Sequence, residues 1–173
     1  MTAGAGLTLA AGHFLVVAHE YRLRRQKFLL AREAACRRGK PLLVVGRPGG
    51  WPSVYGCGDV TVDLDPRVLT DCPEGGQVTD VRDLPFDDRR FGAVFCSHVL
   101  DCLSTSEDVE KACQELRRVA DEVFLCVTLA QNIYWRWFSR EVHVWISEKD
   151  GRVTARSRPW RRLGQLIKRC LPG

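Results

Sequence analysis

Leu42, Leu43, Val44 and Val45 follow one another without a polar residue. A strand wetted on one face alternates apolar and polar side chains. An unbroken apolar run instead belongs to a strand covered on both faces, as in a parallel sheet sandwiched by helices. Glu122 to Leu129 reads as another buried strand, built around the apolar Val123–Val127, and Ala93 to Cys96 as a shorter one. Asp59 to Leu64 alternates and ends in acids, and Val78 marks a further short strand. Between the last two buried runs, Val109, Ala112, Cys113, Leu116 and Val119 recur at helical spacing, predicting a helix over 107–119. Gln131 to Arg140 reads as an aromatic-rich helix. Val142–Ile146 and Val153–Ala155 flank Asp150-Gly151, a strong hairpin signal. Strands separated by helices and closed by a hairpin indicate an α/β layered domain, mostly parallel with an antiparallel edge. A chain of 173 residues has room for one such domain.

The two ends differ from the middle. Residues 1–40 carry eight Lys/Arg against two acids, a balance of +6. Residues 41–151 carry eleven against nineteen, or −8, and residues 152–173 carry seven against none, or +7. Basic ends on an acidic domain suit an anionic partner: a membrane surface, a nucleic acid or the domain's own acidic face. Ala3 to Ala18 holds no charged residue and is followed at once by Arg22, Arg24, Arg25 and Lys27. That stretch is short of the roughly 20 residues that span a bilayer core. The basic cluster after it fits an anchor with the domain on the cytoplasmic side. A helix packed on the domain or on another subunit explains the same stretch equally well. Tyr21 to Arg38 is helical in pattern, with Gly39 as its C-cap, and the domain proper starts at Pro41. Pro159 to Gly173 sets Trp160, Leu163, Leu166, Ile167, Cys170 and Leu171 on one helical face and Arg161, Arg162, Lys168 and Arg169 on the other. Such a helix suits an anionic membrane surface, a partner, or the domain's own core.

Eight cysteines include no Cys-x-x-Cys pair, which disfavours zinc and thioredoxin-type chemistry, and no metal site is expected. They read as free thiols of an intracellular protein. No Gly-x-Ser-x-Gly elbow or Gly-Lys-Ser/Thr loop is present, which disfavours a hydrolase triad and a P-loop.

The motifs that carry chemistry stand at the predicted strand ends. Val45 is followed by Gly46-Arg47-Pro48-Gly49-Gly50, a tight turn after the first strand. The second strand ends in Asp63, then Leu64-Asp65-Pro66. Asp80-Val81-Arg82 precedes a Leu84-Pro85-Phe86 turn and Phe91. The strand Ala93–Cys96 ends in Ser97 and His98, and Glu115-Leu-Arg-Arg118-Val119 precedes the next buried run. In this order, over roughly Leu42 to Thr128, the chain resembles the class I S-adenosylmethionine-dependent methyltransferases, in particular their type 11 group.

The resemblance implies a Rossmann-like fold, with the helix after strand 1 reduced because only twelve residues separate Gly50 from Asp63. It implies S-adenosylmethionine as cofactor. Gly46 and Gly50 would serve as the loop glycines, Asp63 as the acid for the ribose, Asp80 and Val81 at the adenine, and Ser97 at the substrate-facing strand end. His98 is the candidate general base. Departures are Pro48 for the middle glycine, Val44 for an acid, Gly92 for another acid, and no Pro-Gly-Gly after the Glu115 helix. The expected activity is methyl transfer to a small or membrane-associated acceptor. The alternative is a non-catalytic, methyltransferase-derived module in an assembly. Expected organisation is 1–40 as apolar-then-basic helix, 41–158 as the methyltransferase-like domain and 159–173 as the amphipathic helix. A small-molecule acceptor or protein partner is expected, and an oligomer is compatible with the pattern. Nucleic acid is disfavoured by the acidic middle.

Overall fold

A computed structural model describes residues 3–46, 56–72, 75–127, 143–149 and 152–157, with the outer side chains of its first helix and hairpin left aside. One helix, α1 (Ala3–Arg37, 35 residues), precedes the sheet. The uncharged stretch and the basic stretch are therefore a single element. Gly39 ends it with φ +62°, as the C-cap pattern predicts. The strands are β1 (Leu42–Val45), β2 (Val60–Asp63), β3 (Gly76–Val78), β4 (Ala93–Ser97) and β5 (Val123–Cys126). They form one sheet in the order β3-β2-β1-β4-β5, and every pairing in it is parallel. Helix α2 (Ser106–Val119) links β4 to β5 after a 3-10 turn at Leu100–Cys102. The Thr105 hydroxyl caps α2 by accepting from the Asp108 amide.

The β2–β3 crossover is a 3-10 helix, Pro66–Asp71, capped by Asp65, with Pro66 in its first turn. At its far end Cys72 is joined to Cys57 in a disulfide across a separation of 15 residues. This corrects the sequence expectation of free thiols throughout. Distant cysteines can be brought together only by the fold, and no Cys-x-x-Cys spacing announces such a pair. The hairpin β6 (Val144–Lys149) and β7 (Arg152–Ser157) is antiparallel as expected. It forms a separate two-stranded sheet rather than an edge of the main one. The predicted helices over 131–140 and 159–173, the Asp150-Gly151 turn and Gly50 lie outside the described residues.

The all-apolar run of β1 divides its side chains between two cores. Leu42 and Val44 join Phe28, Ala31, Ala34 and Ala35 of α1, with Ala93, Phe95 and Cys126. Leu43 and Val45 join the opposite core, with Val62, Val94, Cys96, the Leu84–Phe91 turn, α2 and the hairpin residues Val144 and Ile146. Phe28 meets Phe95 edge to face at 5.5 Å between ring centres. Phe86 and Phe91 do the same at 5.0 Å on the other side. Gly92 has a packing reason: a Cβ there would stand 2.8 Å from Ala35 Cα, so the residue admits α1 onto β4. Leu30 of α1 is exposed and Phe28 is buried.

The expectation of basic ends meeting the domain's own acidic face is met at one end. Lys40 Nζ donates to Asp121 Oδ2 at 2.7 Å and Arg38 Nη2 to Glu122 Oε1 at 2.9 Å, at the amino edge of β5. Among the described residues no helix is long and apolar enough to cross a membrane.

Candidate functional site

The parallel register puts the motif residues in one row. Val45 lies opposite Val62 on one side and Cys96 on the other. Asp63 pairs with Val78, and Ser97 with Cys126. Hence Thr79-Asp80, Asp63, Gly46, Ser97 and Cys126 mark the carboxyl ends of adjacent strands. At about 4.8 Å per strand, the row from β3 to β4 spans about 14 Å. The crevice outside the carboxyl ends is where ligands bind in open α/β sheets, near the point where strand order reverses. Here that point lies between β1 and β4.

Gly46 turns the chain at φ +95°, a conformation that costs glycine nothing. Its amide donates to Val62 O at 2.9 Å. A Cβ on it would stand 2.5 Å from Val99 Cγ2 and 2.9 Å from Ser97 O. The end of β4 therefore approaches the turn after β1 as closely as backbone permits. Asp63, next in the row, is half-buried, and its Oδ1 accepts from the Asp65 amide at 2.8 Å. Oδ2 has no partner among the described residues.

Asp80 has a partner of its own. Arg82 returns on it as a fork: Nε lies 3.0 Å from Oδ1 and Nη2 reaches Oδ2 at 2.6 Å, while the Arg82 amide also donates to Oδ1 at 2.9 Å. The Arg82 Nη1 meanwhile donates to Asp108 Oδ1 of α2 at 2.7 Å. The guanidinium holds both carboxyls below the usual aspartate range. Asp80 thus stands where the sequence places it, with its acceptor sites taken by the chain itself. Val81 is turned into the core at 4% exposure, so only its backbone can meet a ligand. The Leu84-Pro85-Phe86 turn beside them is clamped by α2. Arg118 donates to Leu84 O and Phe86 O, and Glu115 accepts from the Leu84 amide at 2.9 Å.

At the end of β4, helix α1 brings residues that sequence reasoning did not single out. Arg24 Nε donates to the buried Ser97 Oγ at 3.1 Å, and Lys27 Nζ to Leu125 O at 2.6 Å. Glu20, at 8% exposure, sets Oε1 3.3 Å from His98 Nε2. His98 Nδ1 faces Asp101 Oδ2 at 3.8 Å, and Asp101 is 2% exposed. His98 itself has φ +55°, a left-handed conformation that is uncommon outside glycine. Its amide donates to Cys126 O at 2.8 Å, which fixes this bend. An acid inside the apolar stretch Val99–Leu103 was a readable signal for Asp101. No spacing signal pointed to Glu20, whose partner lies far along the chain.

A nucleoside cofactor fits this edge at Asp63, which offers a carboxylate oxygen, whereas at Gly46 the space beside Cα is taken by Val99 and Ser97 of the chain itself. At Asp80 it meets a carboxylate already held by Arg82. Among the described residues no cluster of His, Cys, Asp or Glu suits a metal ion.

A family model described as a methyltransferase domain matches residues 33–122. Solved structures with a similar fold include a protein of Pyrococcus horikoshii, at 17% identity over 67% of this chain and 65% of that one, with a TM-score of 0.43. DesVI of Streptomyces venezuelae is similar at 17% identity over 79% of this chain and 61% of that one, with a TM-score of 0.48. An amino pentose methyltransferase of Micromonospora echinaspora involved in calicheamicin biosynthesis, solved with S-adenosylmethionine bound, is similar at 18% identity over 80% and 65%, with a TM-score of 0.43. The chain spans less than two thirds of the length of these three proteins, and the likeness is one of fold. A search of curated proteins gives no match. The matched segment covers more than half of the 173 residues, and the chain belongs to the methyltransferase-domain family.

Proposed function

We propose that this domain binds S-adenosylmethionine along the carboxyl edge of β1, β2 and β4 and transfers its methyl group to a small or membrane-associated acceptor. The observation that carries this reading is the adjacency of Gly46, Asp63 and Ser97 on neighbouring strand ends, at the reversal of strand order. When bound, the cofactor supplies an electrophilic methyl group on a sulfonium. Asp63 accepts from the ribose hydroxyls, and Gly46 and Gly50 belong to the loop after β1 that faces the cofactor. The Val81 amide and Asp80 stand at the adenine end, and Ser97 and His98 at the acceptor end. Methyl transfer depends chiefly on holding the acceptor in line with the methyl group, so positioning carries most of the catalysis.

For a membrane-associated acceptor the support is α1. Phe14 and Leu15 are exposed at 70% and 68%, on an uncharged stretch that leads into four basic residues.

Calorimetric titration of the full chain with S-adenosylmethionine and S-adenosylhomocysteine tests the reading. Saturable heat is expected, and Asp63→Ala should weaken binding about 10- to 100-fold, the worth of a hydrogen bond to a charged group. No heat at about millimolar ligand would overturn it. That result would instead favour a non-catalytic module of an assembly, a reading supported by the Arg82 fork on Asp80 and by the α1 side chains at the end of β4.

A further inference from the structure

Asp80 closes the β3 end of the site, and its carboxylate is already in use. The row of strand ends places it relative to a bound nucleoside. Asp63 ends β2, and Asp80 follows β3, the next strand outward from the point where strand order reverses. With the ribose on Asp63, the base lies toward β3 and the sulfonium toward β1 and β4. The 6-amino group of an adenine is a hydrogen-bond donor, and a carboxylate at that end is the acceptor it would use.

Arg82 stands between the amine and that acceptor. Its amide donates to Asp80 Oδ1 at 2.9 Å, Nε lies 3.0 Å from Oδ1 and 3.1 Å from Oδ2, and Nη2 donates to Oδ2 at 2.6 Å. The Asp80 carbonyl accepts from the Asp83 amide at 3.0 Å, so carboxylate and carbonyl both serve the turn that begins here. The guanidinium is also held from the other side. Nη1 donates to Asp108 Oδ1 at 2.7 Å. Asp108 is itself oriented by Thr105, whose hydroxyl donates to Oδ2 at 3.0 Å and accepts from the Asp108 amide at 3.1 Å. All three charged side chains stay partly open to solvent, so a ligand can reach this end of the crevice.

A bond between ions in a planar fork is about twice as strong as one between neutral groups. A neutral amine offers a single weaker bond. To reach Asp80 it would have to displace a cation that two carboxylates hold. Arginine stays charged across the working pH range, so deprotonation does not release the fork.

We infer that Arg82 sets the base selectivity of the site: by keeping Asp80 for itself, it leaves the 6-amino group of the cofactor's purine without a carboxylate acceptor, and that group contributes little to affinity. The inference rests on the S-adenosylmethionine reading above and deepens it by assigning what the site recognises. Polar recognition falls on the ribose at Asp63 rather than on the amino edge of the base. Arg82 is a positioning residue, since it acts through Asp80.

Calorimetric titration of the full chain compares S-adenosylhomocysteine with its analogue carrying hydrogen in place of the 6-amino group. In the wild type the two affinities should agree within about threefold. Arg82→Ala frees Asp80, and the adenosyl ligand should then be preferred about tenfold or more, as expected of a hydrogen bond to a charged group. Arg82→Lys keeps a cation that cannot fork onto Asp80 while holding Asp108, and its ratio should fall between the two. The ratio separates this role from a structural one, because loss of structure weakens both ligands alike. The wild-type comparison needs no variant to fold. A wild-type preference of about tenfold or more for the adenosyl ligand would show that Arg82 gives way, and overturns the inference. A ratio unchanged in Arg82→Ala overturns it too. Binding of neither ligand would defeat the S-adenosylmethionine reading and this inference with it, a result distinct from binding at the wrong ratio.

Discussion

At the scale of single residues, Gly46 has the least freedom to change. Its φ of +95° and the 2.9 Å approach of Ser97 O leave no space for a side chain. Gly46→Ala should destabilise the fold by about 1–3 kcal/mol through backbone strain, before any effect on ligand. Adding Val99→Ala should recover only part of the loss in denaturant titrations. It removes the side-chain clash but not the carbonyl, and full recovery would contradict this account. The turn at Gly46 was legible in the sequence because glycine there, after an apolar run, has few other uses. Asp63 was legible too, as an acid ending a strand. The state of Asp80 was not. That Arg82 would fork back onto it, and reach Asp108 as well, depends on α2 arriving beside the β3 end.

At the scale of elements, the β2–β3 crossover is short for a parallel connection, a 3-10 helix of six residues. The Cys57–Cys72 bond closes it at the amino edge of the sheet, opposite the candidate site. In the chain-entropy account, a closed loop of this length stabilises by about 3 kcal/mol. Reduction, or Cys72→Ser, should lower the unfolding midpoint accordingly while leaving ligand affinity little changed. A matching loss of affinity would show that the crossover feeds directly into the site. Strand positions were readable from their apolar runs, and α2 from its helical period and its Thr105 cap. The helical character of 1–40 was expected, although its two halves differ in composition. One half is uncharged and the other basic, and only helical continuity unites them.

At the scale of the whole molecule, ionic clamps tie the layers together. Arg82 holds Asp80 and Asp108 below the usual range, Arg118 does so for Glu115, and Lys40 chiefly for Asp121. Each of these acids binds its proton less readily folded than unfolded. Their contribution is therefore present above the unfolded carboxylate range and lost as pH falls below about 4. Burial pushes the Cys96 and Cys113 thiols up, so the folded state loses ground above about pH 9, where unfolded thiols ionise. Thermal unfolding midpoints should form a plateau between these limits. Glu115→Gln should flatten the acid limb, and an unchanged limb would remove the clamp from the account. Helix α1 closes the structure by covering one face of the sheet with Phe28, Ala31, Ala34 and Ala35, then running on past the strand ends. By itself, the sequence determined the layered α/β class, the strand positions and the placement of Gly46 and Asp63 at strand ends, because these follow from local period, turn chemistry and order along the chain. The tertiary structure alone decided the Cys57–Cys72 pairing, the Arg82 fork on Asp80 and the meeting of Glu20 with His98. Those contacts join residues whose separation in sequence carries no periodic signal, and packing brings them together.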